Sequence, residues 1–134
     1  MIALDTSVAV PLLLGTHTAH ESVKKWAKGR ELTLCAYSLV ETYSVLTRLP
    51  GDNRLAGEDA VRVIDDSFPS PLMLSDAVGK DVHRRLERAG VLGGAVYDGL
   101  VALTALENGI PLASRDRRAV NNYLSLGVEV QLVV

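Results

Sequence analysis

The chain of 134 residues has few of the residues that hold small secreted or zinc-dependent proteins together, with one cysteine, one tryptophan and one phenylalanine. A single cysteine excludes an internal disulfide and a cysteine-based zinc site, so we expect Cys35 to be a buried small residue. Aromatic residues make up only 4% of the chain and hydrophobic residues 48%. This composition predicts an aliphatic core and one domain that spans residues 1–134.

Net charge and long hydrophobic runs are also lacking. The 14 basic and 16 acidic residues give a formal net charge of -2, which argues against binding duplex nucleic acid through bulk charge but leaves room for a local basic groove. The apolar segment Val8–Leu14 is short, contains Pro11 and has no basic leader, so it resembles neither a signal peptide nor a membrane span. We therefore expect a cytoplasmic protein with no membrane partner.

Short apolar segments alternate with helical segments along the chain, which predicts an α/β fold with a parallel sheet flanked by helices on both sides. Strands are predicted at Ile2–Leu4, Leu32–Ala36, Leu72–Leu74, Ile110–Ala113 and Val128–Val133. Helices are predicted at Ser7–Leu14, His17–Lys28, Ser38–Leu49, Glu58–Phe68, Asp76–Ala89, Gly99–Asn108 and Arg117–Leu126. The hydroxyls of Thr6 and Ser7 are expected to cap the first helix.

Four acidic residues stand where predicted strands end or predicted helices begin. Asp5 and Asp116 follow strands, and Glu41 and Asp98 are expected in the first turn of a helix. Because strand carboxyl ends and helix N-termini share one edge of an α/β sheet, we expect these carboxylates to meet there. Each also has a simpler role open to it, since Asp5 and Asp116 are placed as N-caps and the other two as first-turn acids that face water.

Carboxylates gathered at an apolar edge repel one another, and burying them unpaired costs free energy. A divalent cation compensates this charge better than helix N-termini do. The histidines His17, His20 and His83 have no acidic partners at metal-ligand spacing. An all-oxygen set of ligands predicts Mg²⁺ or Mn²⁺.

The segments around these acids resemble those of the PIN-domain family and, within it, the VapC toxins of type II toxin–antitoxin pairs. They follow the family order along nearly the whole chain: Leu4–Ser7, Tyr37–Tyr43, Leu46–Pro50, Val96–Ala105 and Leu112–Asp116. Two positions depart from the family pattern. Ser114 is commonly threonine, and Gly99 is often alanine, so that glycine is expected to loosen the start of its helix.

The resemblance implies a metal-dependent endoribonuclease that uses Mg²⁺ or Mn²⁺. By that resemblance the catalytic and metal-binding residues are Asp5, Glu41, Asp98 and Asp116, supported by the hydroxyls of Thr6, Ser7 and Ser114. It also implies a homodimer and a cognate VapB-like antitoxin whose segment covers the acidic groove. The expected substrate is RNA, in the single-stranded loops of folded species such as tRNA or rRNA.

Contact with RNA phosphates has to come from basic residues, because the carboxylates repel phosphate. The candidates are Arg115, Arg117 and Arg118, which flank Asp116, and Arg48, which follows Glu41 on the same predicted helix.

Two alternatives share this resemblance: a catalytically silent PIN-like module that binds RNA or protein, and a PIN nuclease of RNA maturation. Other α/β classes fit less well. An aspartyl-phosphate phosphatase needs a second acid where the chain has Ser7, and a receiver domain needs a late lysine although none follows Lys80. A Rossmann cofactor site needs a glycine-rich first turn, which is absent after Asp5.

Overall fold

Four short parallel strands form the centre of the structure, a computed structural model that describes residues 1–134. They are β1 (Ile2–Leu4), β2 (Leu32–Leu34), β3 (Leu112–Ser114) and β4 (Val130–Leu132), in the order β2-β1-β3-β4. Seven α-helices connect them: α1 (Thr6–Leu13), α2 (His20–Ala27), α3 (Ala36–Thr47), α4 (Gly57–Ser67), α5 (Asp76–Arg88), α6 (Val96–Glu107) and α7 (Arg117–Ser125). The predicted α/β fold with a parallel sheet is confirmed.

Consecutive residues of each strand pack on opposite faces of the sheet. Ala3 and Leu112 belong to the core cluster formed with α6 and α7, whereas Leu4 and Ala113 belong to the cluster formed with α1 and α2. Helices therefore cover both faces, in three layers. This double burial is the reason why the strands are apolar at nearly every position.

The prediction of a strand at Leu72–Leu74 is wrong. Only Leu72 pairs with the sheet, as an isolated bridge to Cys35 beside β2. The preceding Pro71 has no N–H to donate, and the carbonyl of Met73 accepts from the side chain of Asn108 instead of from a strand. The other strands are present and each is three residues long, and Ser114 belongs to β3.

The starts of two helices differ from the predictions in ways that move acidic residues. α3 begins at Ala36, because the buried Cys35 takes the N-cap position and its sulfur accepts from the Ser38 N–H at 3.4 Å. Glu41 is consequently not in the first turn of its helix, as predicted, but in the second. α6 begins at Val96, which keeps Asp98 in the first turn.

The predicted helix from His17 begins only at His20. The His17 ring nitrogen accepts from the Ala19 N–H at 3.0 Å, which favours a turn over a continuous helix. Each helix is too short or too polar to span a bilayer.

Candidate active site at the carboxyl edge of the sheet

A cavity of about 140 Å³ opens where the carboxyl ends of β1 and β3 meet the beginnings of the neighbouring helices. Its lining residues are Asp5, Thr6, Ser7, Glu41, Asp98, Val101, Asp116 and Tyr123. All four acids that the sequence predicts at this edge thus line one cavity, and no lysine or arginine lines it.

Asp5 is the most tightly held of the four acids. It stands at the N-cap position of α1 but makes no capping hydrogen bond, and its carboxylate accepts from the Ser7 hydroxyl and, at 2.9 Å, from the Tyr123 hydroxyl. Burial raises the pKa of Asp5, and hydrogen bonds from the surrounding hydroxyls offset part of that effect. The prediction that Ser7 caps α1 is therefore wrong, because its hydroxyl serves Asp5 instead.

Glu41 is held by the hydroxyl of Thr6. Thr6 Oγ1 donates to Glu41 Oε2 at 2.6 Å and so connects the start of α1 with the second turn of α3. The expectation that Thr6 caps its own helix is also wrong. Both hydroxyls that follow Asp5 in the sequence are used to orient carboxylates of the cavity.

Asp98 receives no hydrogen bond from a side chain. It is half-buried, and its pKa is raised to about 6 by burial first and then by the charges of Glu41, Asp5 and Asp116. The neighbouring carboxylates therefore disfavour its ionised form, which is the electrostatic stress expected of uncompensated like charges.

A glycine next to Asp98 fixes where α6 lies. Gly99 is buried, and a methyl group there would collide with the Leu86 side chain of α5. The expectation that this glycine loosens the helix start misses its packing role, since its lack of a side chain allows α6 to approach α5 closely. The first turn of α6, with Asp98, is positioned by this contact.

Asp116 has two functions available at once. Its carboxylate caps α7 by accepting from the Arg118 N–H at 3.0 Å, which is the simpler role that the sequence allowed, and it also lines the cavity. Its own N–H donates to Ser114 Oγ at 3.0 Å. Ser114 is fully buried and its hydroxyl is 3.4 Å from that of Ser7, so the serine connects β3 with the Asp5 network.

Three of the four predicted RNA-contacting arginines lie beside Asp116, whereas the fourth, Arg48, lies apart from them. The N–H of Arg115 donates to Ser7 Oγ at 2.8 Å, and its side chain is partly buried. Arg117 and Arg118 are exposed on the first turn of α7, and Arg118 lies 3.5 Å from the Asp116 carboxylate. Arg48 is exposed seven residues beyond Glu41, about 10 Å further along α3, so nothing places it at the cavity.

Tyr123 is the polar cavity residue that sequence reasoning missed. It is 1% exposed, and burial and the nearby Asp5 charge raise the pKa of its phenol, so the hydroxyl keeps its proton and donates. The available signal was its position in the amphipathic α7, four residues after the buried Ala119. A tyrosine on the inner face of a helix needs an acceptor for its hydroxyl, and an acid at the sheet edge provides one.

Oxygen is the only donor type in the cavity, which suits a hard divalent cation. The carboxylates do not form a ready coordination sphere, since no group of three or more acidic, histidine or cysteine side chains has the spacing to hold an ion. Like charges repel, and no positive charge inside the cavity draws the carboxylates together. The donor set therefore fits Mg²⁺ or Mn²⁺ in type and charge.

Comparison with known proteins agrees with this arrangement. Residues 2–123 match the family model of the PIN domain. The chain is 52% identical over 129 residues to Ribonuclease VapC27 of Mycobacterium tuberculosis. The aligned residues cover 96% of this chain and 94% of the relative. It is 42% identical over 134 residues to Ribonuclease VapC40 of the same species, which covers 99% of each chain.

Solved structures share the fold at lower sequence identity. FitAcB from Neisseria gonorrhoeae has a TM-score of 0.72 at 22% identity and covers 97% of this chain and 96% of that one. Mycobacterium tuberculosis VapC20, a sarcin–ricin loop cleaving toxin, has a TM-score of 0.67 at 18% identity and covers 96% of each chain. These likenesses concern the fold alone, whereas the family match and the two close relatives extend over nearly the whole sequence. The chain belongs to the PIN-domain family and, within it, to the VapC ribonucleases.

Proposed function

We propose that this protein is a Mg²⁺- or Mn²⁺-dependent endoribonuclease and the toxin of a type II toxin–antitoxin pair. The observation that carries the proposal is the cavity lined by Asp5, Glu41, Asp98 and Asp116 with no basic residue among them. The ribonuclease names of the relatives at 52% and 42% identity support the reaction. They also favour a toxin over an RNA-maturation nuclease or a silent binding module.

The four acids are proposed as the metal ligands. A bound Mg²⁺ or Mn²⁺ would supply an activated water and stabilise the charge that develops on the leaving oxygen of a phosphodiester. The chain's own hydroxyls orient two of the ligands, since Ser7 and Tyr123 donate to Asp5 and Thr6 donates to Glu41. Ser114 supports this arrangement by connecting Ser7 to the backbone of Asp116.

RNA is the proposed substrate, in single-stranded loops of folded molecules, because only unpaired nucleotides can be splayed into a cavity of this size. Arg117 and Arg118 are proposed to contact its phosphates, since both are exposed on the turn of α7 that follows Asp116. Arg115 is tied to Ser7 through its backbone, and we propose that its partly buried side chain contacts the RNA beside the same turn. Arg48 is not retained, because it is remote from Glu41.

An antitoxin is the proposed protein partner. The uncompensated carboxylates make the cavity a receptor for an arginine from an antitoxin segment, which would offset their charge as a metal does. We also propose a homodimer, which is supported by large apolar side chains left exposed, among them Val40, Met73 and Leu92. Residues 1–134 are proposed to form one PIN domain, since β4, beyond the matched residues, pairs with β3.

Cleavage of a pool of folded cellular RNAs by the purified protein tests the reaction. We expect discrete cuts in Mg²⁺ or Mn²⁺ that disappear in a chelator and fall at least about a hundredfold in Asp98→Asn, which keeps the shape of the side chain and removes its charge. Asp66→Asn, at an exposed acid of α4, is the matched control and is expected to cut like the wild type. Undiminished cutting by Asp98→Asn, or no cutting by folded wild-type protein, would contradict the proposal.

A further inference from the structure

Two tyrosines form a stacked pair at the protein surface. The rings of Tyr37 and Tyr97 are nearly parallel, 5° apart, with centroids separated by 5.8 Å. Tyr37 is partly buried, whereas 52% of Tyr97 is exposed. Tyr97 is therefore the outer member of the pair, in a chain with only 4% aromatic residues.

The pair stands on the two helices that carry Glu41 and Asp98, although neither ring lines the acidic cavity. Tyr37 is one helical turn before Glu41 in α3, and Tyr97 directly precedes Asp98 in α6. Burial, and then the charges of Glu41, Tyr97 and Asp98, raise the pKa of the Tyr37 phenol, which is consistent with this proximity. The two helices that carry the tyrosines also carry two of the four acids.

Neither of these helices has a positive charge. α3 and α6 contain no lysine and no arginine, so these two helices offer a nucleic acid no ion pair. Aromatic faces offer a means of contact that needs no ion pair. They bind nucleobases without charge, by stacking on the flat face that every base has.

We propose that Tyr97, backed by Tyr37, is a stacking platform for an unpaired nucleobase of the RNA next to the scissile phosphate. The inference rests on the proposed ribonuclease function and adds a binding site to it. The base continues the existing stack on the open side of the Tyr97 ring, which holds the adjoining phosphate over the carboxylates. Single-stranded RNA is recognised in this way because its bases are free to leave the helix.

Binding, measured apart from cleavage, tests the platform. The probe is a short single-stranded oligoribonucleotide with one central 2-aminopurine, and the protein carries Asp98→Asn so that the RNA stays intact. We expect the 2-aminopurine fluorescence to be quenched on binding. Adding Tyr97→Leu should weaken binding about tenfold and remove the quenching, whereas Tyr97→Trp should preserve both.

Tyr43→Leu is the matched control, because Tyr43 shares α3 with Tyr37 and is 41% exposed but lines a different groove, with Val61 and Asp65. We expect it to bind the probe like its parent. Replacing the 2-aminopurine nucleotide by an abasic one should weaken probe binding by the parent and leave probe binding by Tyr97→Leu unchanged.

Equal binding by the parent and Tyr97→Leu would overturn the platform, as would an Asp98→Asn parent that quenches no probe. Sedimentation velocity on the same proteins shows whether Tyr97 acts instead as a contact between copies of the chain. If Tyr97→Leu weakens RNA binding only in proportion to lost self-association, the stacking inference is wrong. Cleavage by the wild type stands as a separate result. If the wild type cleaves no RNA, the proposed function is refuted, but quenching that depends on Tyr97 can still be observed.

Discussion

Asp5 and Asp98 line the same cavity but are held in opposite ways. Asp5 is 4% exposed and accepts hydrogen bonds from Ser7 and Tyr123, so its position is fixed by the fold around it. Asp98 is half-buried, and no other side chain donates a hydrogen bond to it. The charges of three other carboxylates act on it. Part of the site is therefore built before any ion binds, and part is left under repulsion that an ion would relieve.

The difference has an energetic consequence. Removing Asp5 leaves two hydroxyl groups without their acceptor, whereas removing the charge of Asp98 relieves repulsion. The hydrogen bonds of Asp5 are thus expected to stabilise the fold, whereas the charge of Asp98 is expected to destabilise it. Three substitutions test this contrast.

The largest effect on stability is expected for Asp5→Ala. The buried Tyr123 hydroxyl would lose its acceptor, which costs about 2 kcal/mol in the free energy of unfolding. Chemical denaturation in a chelator measures it. The double variant Asp5→Ala with Tyr123→Phe should recover about half of the loss, since the stranded hydroxyl is then gone; no recovery would mean that the hydrogen bond is not what Asp5 contributes.

A smaller effect, on metal binding, is expected for Tyr123→Phe. The ring still fills its place in the core, but Asp5 loses one of the donors that orient it, and loss of such an outer contact costs about tenfold in metal affinity. The rise in melting temperature as Mn²⁺ is added reports the affinity without relying on cleavage. Tyr43→Phe removes an exposed hydroxyl on α3 and should leave the Mn²⁺ dependence unchanged.

The smallest effect is expected for the stability of Asp98→Asn, and it has the opposite sign. The pKa of Asp98 is about 6 in the folded protein against 3.8 ordinarily, so the folded state keeps a proton in this interval that the unfolded chain has lost. Wild-type stability therefore falls as the pH rises from about 4 to about 6, and the loss is complete above that. For a fully buried group, this pKa shift would correspond to a loss of about 3 kcal/mol in the free energy of unfolding. Solvent screening at the half-exposed Asp98 reduces the expected loss to about 1 kcal/mol.

Unfolding in chelator at several pH values measures this term. Asp98→Asn should be more stable than the wild type by about 1 kcal/mol above pH 6 and equal to it near pH 4. A variant that is less stable at neutral pH would show that Asp98 is not under net repulsion and would remove the contrast with Asp5.

The element types and the location of the acids could be read from the sequence because local chemistry fixes them. Strands covered on both faces must be apolar throughout, and an acid placed directly after such a strand can only be at its carboxyl edge. Leu72–Leu74 misled this reasoning, because an apolar triplet beside prolines looks like a strand until its hydrogen-bond partners are known. The turn of α3 that holds Glu41 was misplaced because the helix begins at Ala36, where the sulfur of Cys35 caps it, and not at Ser38 as predicted.

By itself, the sequence determined the class of fold, the family, and the four acids that meet at one edge, since each depends on periodicity or on motifs within a few residues. Only the tertiary structure decided how each acid is held. The partners of Asp5 and Glu41 lie 118 and 35 residues away in Tyr123 and Thr6, and no local pattern specifies such pairs. The stacking of Tyr37 on Tyr97 and the close approach that Gly99 permits were decided in the same way, by packing between helices that the chain brings together only when it folds.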